Sequence, residues 1–230
     1  MHYDWILFDA DNTLLDFTAA ERHSLSSAMA DEGLDFQPDH HEVYHHINKA
    51  CWHDFEHGRI SKAQLRRERF ERFFYELGVR GIDPDAFADA YLANLAHAGH
   101  LLSGALALLE ALRPHYRLGL VTNGLKEVQR PRLHAAGIAG FFEVIVVSDE
   151  IGPAKPQAAF FDHAFTEMGG PERDRVLVVG DNLNADVKGG LDYGLHACWY
   201  NPEGAERYLP ISPTYEIGGY GELLTLLGHG

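Results

Sequence analysis

Apolar and polar positions follow two different patterns along the chain. Trp5–Phe8 is a run of four apolar residues, which predicts a short strand buried on both faces. Between Thr18 and Ala98, apolar residues instead recur with helical spacing, and glycines interrupt the pattern. The sequence therefore predicts four helices in this stretch: Ala19–Glu32, His40–Phe55, Lys62–Leu77 and Pro84–Ala96.

Beyond residue 100, short apolar runs alternate with helical segments, which predicts a parallel sheet wrapped by helices. We expect an α/β fold, with a Rossmann-like sheet domain at residues 1–16 and 100–230 and an all-helical inserted domain at residues 17–99. The predicted strands are Tyr116–Thr122, Phe141–Val147, Arg175–Gly180, Leu195–Tyr200 and Thr214–Ile217. The predicted helices are Gly104–Arg113, Lys126–Gly137, Gln157–Gly169, Ala185–Tyr193 and Gly221–Leu227.

Two carboxylates, Asp9 and Asp11, directly follow the first predicted strand. At the end of a buried strand they would lose solvation and repel each other unless a cation lies between them. This edge is also where ligands bind in open α/β sheets. The pair therefore predicts a divalent metal at the carboxyl edge of the sheet.

Composition narrows the function classes. The chain has 230 residues, 46% of them hydrophobic, and a formal net charge of −15. This charge argues against a nucleic-acid polymer as partner, because the chain has no excess of Lys and Arg to replace counterions on phosphates. A small phosphate ester as substrate is compatible with the negative net charge, since a metal, Lys155 and backbone N–H groups can hold one phosphate locally.

Cellular location is inferred from two further observations. The two cysteines, Cys51 and Cys198, form no disulfide framework, which indicates a reducing cytoplasm. No apolar run approaches the roughly 20 residues that span a bilayer, so we expect no membrane association. We expect a monomer or a homodimer.

Three more motifs follow the acidic one: Leu118–Gly124, Gly152–Pro156, and Val176–Asp181 with Asp186 beyond it. Together with Asp9-x-Asp11-x-Thr13, they make the chain resemble phosphatases of the haloacid dehalogenase superfamily. The resemblance implies that the helical insertion is a cap over the active edge, where the substrate is selected. The resemblance also implies phosphatase chemistry, because family members that displace halide from carbon do not carry an acid at the position of Asp11.

Each motif supplies a candidate role. Asp9 is the candidate nucleophile, and Asp11 would pass a proton to the leaving oxygen and later take one from water. Thr122 and Lys155 would complete the catalytic set by contacting the phosphoryl group. Substrate contacts are also expected from Thr13 and from Asn123 and Gly124, whose N–H groups face the same point.

The expected metal ligands are all oxygens, which indicates Mg²⁺. Asp9, the backbone carbonyl of Asp11, and Asp181 are predicted ligands. Asp186 would hold a metal-bound water or orient Lys155, although an Asp at this place is also a common helix N-cap.

The start of the chain and the segments Asn48-Lys49-x-x-Trp52 and Gly58-x-Ile60 are similar to bacterial pyrimidine 5′-nucleotidases. The resemblance implies a nucleoside 5′-monophosphate as substrate. Asn48 and Trp52 would then hold the base and sugar, and packing inside a helical bundle is the alternative for both.

Other functions are open at this point. A sugar-phosphate phosphatase or a phosphomutase would use the same core residues. A phosphoacceptor signalling module also arranges Asp, Thr and Lys around Mg²⁺, but in about half this length and without a helical insertion. A non-catalytic binding protein would have little reason to keep the acids.

One further motif, His41-Glu42-Val43-Tyr44-His45, matches the His-Glu-x-x-His pattern of zinc hydrolases. No third ligand in a matching context follows it, and histidine is frequent in this chain. We therefore interpret the segment as a solvated helix face that could bind metal adventitiously.

Overall fold

The structure, a computed structural model, describes residues 2–56 and 58–229. These residues divide into two compact units. The sheet unit contains the chain up to residue 17 and from residue 99 onward, and the helical unit contains residues 18–98.

The sheet unit is built on six parallel strands in the order β3-β2-β1-β4-β5-β6. β1 is central, because Phe8 pairs with Leu120 of β2 on one side and with Val179 of β4 on the other. The chain adds strands on one side of β1 and then continues on the other, so the order reverses between β1 and β4. The strands are β1 (Trp5–Phe8), β2 (Arg117–Thr122), β3 (Val144–Val147), β4 (Val176–Gly180), β5 (His196–Tyr200) and β6 (Tyr215–Ile217).

Side chains of β1 alternate between two hydrophobic clusters, one on each face of the sheet. Ile6 and Phe8 belong to the cluster that contains residues of α5 (Ala105–Leu112) and α10 (Tyr220–Leu226). Trp5 and Leu7 belong to the cluster that contains α8 (Ala158–Glu167). Helices on both faces explain why β1 is apolar throughout. The other α-helices among the described residues of this unit are α6 (Lys126–Ala135), α7 (Ser148–Ile151) and α9 (Gly189–Asp192).

The helical unit contains most of α1 (Phe17–Asp31) and all of α2 (Pro38–Glu56), α3 (Lys62–Glu76) and α4 (Pro84–His97). Two helix starts are fixed by local chemistry, since α3 has a capping box between Ser61 and Gln64 and α4 has Asp83 as N-cap followed by proline. The core of this unit is aromatic. Tyr44 of α2 stacks on Phe70 of α3 with ring centroids 5.2 Å apart.

The predicted fold class is confirmed, and the elements differ from prediction mainly around residue 185. The sequence predicts one helix over Ala185–Tyr193, whereas the structure has a π-helix at Leu183–Lys188 that passes directly into α9. The wide turn accompanies the buried side chain of Asp186, and insertions of this kind are frequent at functional sites. The single turn α7 was not predicted. Among the described residues, no helix is both long and apolar enough to cross a bilayer.

Candidate active site

Three predicted site residues lie at adjacent strand ends of the sheet unit. Asp9 follows β1, Thr122 ends β2, and Asp181 follows β4. The backbone N–H of Asp9 donates to Val179 O at 2.9 Å, which continues the pairing of β1 with β4 to this residue. Parallel strands therefore bring these side chains to one edge, at the point where the strand order reverses.

Lys155 is buried at the centre of this edge. Its Nζ donates to Asp9 Oδ1 at 2.7 Å, to Asp186 Oδ1 at 2.6 Å and to Val121 O at 2.7 Å. An ammonium has three N–H donors, so these three acceptors use all of them. Burial opposes the charged form, but Asp186 and Asp9 outweigh it and raise the pKa of Lys155 above its ordinary value. Lys155 is therefore a fixed positive charge beside Asp9.

The backbone of Lys155 is held by the side chain of Asn123. Asn123 Oδ1 accepts from the Lys155 N–H, and Asn123 Nδ2 donates to the Lys155 carbonyl, both at 2.8 Å. The sequence predicts a substrate contact through the backbone of Asn123. The Asn123 side chain in addition connects the segment that follows β2 to the segment that contains Lys155.

Oxygen atoms of Asp9, Asp181 and Asp186 lie within 4.8 Å of one another. Burial raises the pKa of Asp9, although the charge of Lys155 opposes this change. The pKa of Asp181 is also raised, mainly by burial and to a smaller extent by repulsion from Asp9 and Asp186. These groups thus resist full ionisation unless a further cation is present. Their all-oxygen donor set fits the ligand preference of Mg²⁺.

Gly180 provides the space that Asp186 needs. A Cβ at this position would lie 2.2 Å from Asp186 Oδ2, which is far too close for any other residue. Asp186 Oδ2 also accepts from the backbone N–H of Asn182 at 3.1 Å. With Oδ1 bonded to Lys155, Asp186 is placed to orient the lysine, one of the two roles that the sequence predicts for it.

Thr13 is fully buried, and its hydroxyl is bonded to Asp181. Its Oγ1 accepts from the Asp181 N–H at 3.0 Å and lies 3.4 Å from Asp181 Oδ1. Two residues that the sequence did not identify complete this support, since Trp199 Nε1 donates to the Asp181 carbonyl and the Tyr220 hydroxyl donates to the Thr13 carbonyl. The observed partners of Thr13 are thus protein groups that hold Asp181, and the predicted substrate contact of Thr13 stays a prediction.

Asp11 is held by two residues of α6 that the sequence analysis missed. Arg132 Nη1 donates to Asp11 Oδ1 at 2.6 Å, and Gln129 Nε2 donates to Asp11 Oδ2 at 2.7 Å. A signal for both was present in the sequence. Gln129 and Arg132 occupy the buried face of α6 with Val128 and Leu133, where helical periodicity favours apolar residues.

The predicted cap residues Asn48 and Trp52 lie on α2 of the helical unit. Asn48 is buried, and its Nδ2 donates to Glu21 Oε1 at 2.8 Å while its Oδ1 accepts from Arg69 Nη1 at 3.2 Å. Trp52 is half-buried and packs edge-on against Phe55. Asn48 is thus part of an internal polar network, whereas Trp52 retains exposed surface.

The prediction that the His41–His45 segment is a solvated helix face is wrong for His41. This residue is only 4% exposed, and its Nε2 lies 3.1 Å from Oε2 of the fully buried Glu21. His45 Nδ1 lies 2.7 Å from the same oxygen. Burial favours a neutral Glu21, but hydrogen bonds from His41, His45 and Asn48 outweigh it and lower the pKa of Glu21. The partner lies on α1, so the α2 sequence alone could not indicate it.

The profile of the haloacid dehalogenase-like hydrolase family matches residues 3–194. The chain is 37% identical to the pyrimidine 5′-nucleotidase YjjG of Escherichia coli over 99% of both sequences. It is also 37% identical to the pyrimidine 5′-nucleotidase PynA of Streptococcus pneumoniae, over 99% of this chain and 96% of that protein.

Among solved structures, the chain is similar to a magnesium-bound crystal structure of the HAD-hydrolase YfnB from Bacillus subtilis. The TM-score is 0.93, with 34% identity and coverage of 99% of each chain. The profile match spans most of the chain, and the similarity to these relatives extends over nearly its full length. The chain therefore belongs to the haloacid dehalogenase-like hydrolase family, as its four motifs predict.

Proposed function

We propose that this protein is a Mg²⁺-dependent phosphomonoester hydrolase that acts through an aspartyl phosphate, with pyrimidine nucleoside 5′-monophosphates as preferred substrates. The observation that carries the proposal is the contact between Asp9 Oδ1 and the fixed ammonium of Lys155 within a cluster of three carboxylates. The two nucleotidase relatives support the substrate class.

In this proposal, Asp9, Asp181, Asp186 and the backbone carbonyl of Asp11 would hold the metal. When bound, Mg²⁺ supplies positive charge that neutralises the phosphoryl oxygens and lowers their repulsion toward a carboxylate nucleophile. Lys155 contributes a second positive charge from the protein itself, since its ammonium contacts both Asp9 and Asp186.

The chain's own residues then perform two steps. A carboxylate oxygen of Asp9 forms a bond to phosphorus while the ester P–O bond breaks, and Asp11 gives its proton to the departing oxygen. In the second step Asp11 takes a proton from water, whose oxygen attacks phosphorus and releases phosphate and the Asp9 carboxylate. The Thr122 hydroxyl would donate a hydrogen bond to a phosphoryl oxygen in both steps.

The substrate choice is proposed to lie with the helical unit, where Trp52 offers an aromatic surface for the base. Asn48 remains a proposed contributor, although its bonds to Glu21 and Arg69 also give it a structural task. We propose a small phosphorylated metabolite as the partner, in a cytoplasmic protein that is a monomer or a homodimer. The free, buried state of Cys51 and Cys198 supports that location.

A panel of phosphate esters tests the proposal. The purified protein is assayed with uridine, thymidine and adenosine 5′-monophosphates, a hexose phosphate and p-nitrophenyl phosphate, each with Mg²⁺ and with EDTA. We expect Mg²⁺-dependent phosphate release with the highest kcat/KM on the pyrimidine nucleotides. A higher kcat/KM on the hexose phosphate would favour a sugar-phosphate phosphatase, and transfer between sugar positions without phosphate release would favour a phosphomutase. Release that survives EDTA would contradict the metal requirement.

A further inference from the structure

The carboxylate of Asp11 is held at both oxygens by donors from one helix. Arg132 Nη1 lies 2.6 Å from Oδ1, and Gln129 Nε2 lies 2.7 Å from Oδ2. The two donors are three positions apart in α6, so they project from the same face of the helix. Both side chains are buried, whereas the Asp11 side chain is 29% exposed. Asp11 is therefore anchored from the protein side and open on the other.

Gln129 also connects Asp11 to Thr122. Its Nε2 lies 2.7 Å from Thr122 Oγ1, and its Oε1 accepts from Arg132 Nη1 at 3.2 Å. The contacts fix the amide orientation, because the carboxylate only accepts and the guanidinium only donates. Since Gln129 donates to Thr122 Oγ1, the hydroxyl proton of Thr122 stays available for another acceptor.

Gly124 makes this arrangement sterically possible. A Cβ at position 124 would lie 2.4 Å from both Cγ and Nε2 of Gln129. Any other residue would push the Gln129 amide away from Asp11 and Thr122. The glycine that follows β2 thus has a second task beyond the backbone contact predicted for it.

A buried guanidinium requires compensation for its lost solvation. Arg132 obtains part of it from the ion pair with Asp11 and from the ring of Phe17, whose centroid lies 5.6 Å from Arg132 Cζ. An apolar residue would fill this helix face at lower cost. The arrangement therefore points to a role for the charge at Asp11.

We propose that Gln129 and Arg132 are positioning residues that hold the Asp11 carboxylate in the orientation needed to exchange a proton with the ester oxygen and with water. This inference rests on the proposed function. Neither residue contacts the substrate in this role. Through them, α6 connects Asp11, which follows β1, to Thr122, which ends β2.

A leaving-group comparison tests the role. A nucleoside leaves as an alkoxide that needs a proton, whereas p-nitrophenol leaves as a stabilised anion and depends little on a general acid. For Arg132→Met and Gln129→Met we expect kcat/KM on uridine 5′-monophosphate to fall about tenfold to a hundredfold. The fall on p-nitrophenyl phosphate should be several times smaller. Arg130→Met, a partly exposed position on the same helix, should leave both values near wild type.

The ratio of the two kcat/KM values is the deciding readout, because it does not depend on the fraction of each variant that is folded. A ratio equal to that of the wild type in both variants would overturn the positioning role. In an Asp11→Asn background, Gln129→Met should leave the ratio unchanged, and a further selective loss there would also contradict the inference. If the wild type hydrolyses neither ester, the proposed function fails, and this inference fails with it.

Discussion

Lys155 and Asp186 form a buried ion pair, with Nζ 2.6 Å from Oδ1 and only 1% of each side chain exposed. The same ammonium lies 2.7 Å from Asp9 Oδ1. One positive charge thus serves two carboxylates of a cluster that also contains Asp181. The lysine holds the cluster together, and the excess of acid over base is what a divalent cation would neutralise.

Replacement of Lys155 by methionine should destabilise the protein strongly. The change leaves Asp9 and Asp186 buried without their cation, and removing one partner of a buried pair costs about 3–5 kcal/mol. Lys188→Met is the matched control, since Lys188 forms a more exposed ion pair with Asp192. Such a pair contributes at most about 1 kcal/mol to the free energy of unfolding. Denaturant unfolding of both variants measures the difference. Equal losses would show that the buried pair contributes no more than the exposed one.

Mg²⁺ should change how stability depends on pH. Burial first, with repulsion among the acids, raises the pKa values of Asp9 and Asp181 above the ordinary value of 3.8. A raised pKa means that the folded state favours the protonated form, so this stabilisation is complete below the ordinary value and is lost as pH rises through the raised one.

We therefore expect the melting temperature in EDTA to fall between about pH 5 and pH 8, and saturating Mg²⁺ to reduce that fall by binding only the folded state. Melting curves with Mg²⁺ and with EDTA test this expectation, and Asp181→Asn should lose most of the Mg²⁺ effect. An equal Mg²⁺ effect in that variant would remove Asp181 from the metal site.

The helical unit should have its own pH dependence through Glu21 and His45. The hydrogen bond to Glu21 raises the pKa of His45 above its ordinary 6.5, so this stabilisation is present below that value and is lost as pH rises through the raised pKa. The pKa of Glu21 is lowered below 4.5, so its contribution is present above that value and is lost on acidification.

His45→Gln should accordingly remove part of the stability loss that sets in as pH rises above 6.5, measured with Mg²⁺ saturating so that the metal site contributes little. His46→Gln, an exposed neighbour on α2, is the control and should behave as the wild type. The assignment is wrong if the two variants give the same pH profile.

Asn48 and Trp52 should respond differently to truncation. Asn48→Ala removes a donor to the buried Glu21 and should cost about 1–3 kcal/mol of unfolding free energy. Its proposed contribution to substrate choice should add a larger loss of kcat/KM on nucleotides than on p-nitrophenyl phosphate. Trp52→Ala, if the ring stacks on a base, should lower kcat/KM for nucleotides about tenfold to a hundredfold and spare p-nitrophenyl phosphate. Melting temperatures and both substrates are measured for each variant. A parallel loss on both substrates with a lower melting temperature for Trp52→Ala would make this residue part of the scaffold.

Local sequence patterns were sufficient to predict the sheet and the position of its acids. Apolar runs mark β1, β2 and β4, and parallel pairing then carries Asp9, Thr122 and Asp181 to one edge without further information. The helices of the insertion were equally readable, because helical spacing and the interrupting glycines are local signals, and α3 and α4 begin at Lys62 and Pro84 as predicted.

Contacts between distant segments could not be predicted in this way. Gln129 and Asp11 are 118 positions apart, and their contact depends on how α6 is rotated about its axis. The partnership of His41 with Glu21 likewise depends on the packing of α2 against α1. The π-helix at Leu183–Lys188 has no periodicity long enough to recognise, since it spans little more than one turn.

The covalent role of Asp9 can be tested by trapping its phosphorylated form. The protein is mixed with a nucleoside monophosphate that carries the radiolabel in its phosphate group, and the reaction is quenched in acid during turnover. The protein is then digested, and the peptides are analysed for a hydroxylamine-sensitive phosphate. We expect label on Asp9 in the wild type, with no label and at least about a thousandfold lower kcat in a folded Asp9→Asn variant. The exposed Asp35→Asn should label and turn over as the wild type does. Near-normal turnover by Asp9→Asn, or label on another residue, would contradict the role of Asp9 as nucleophile.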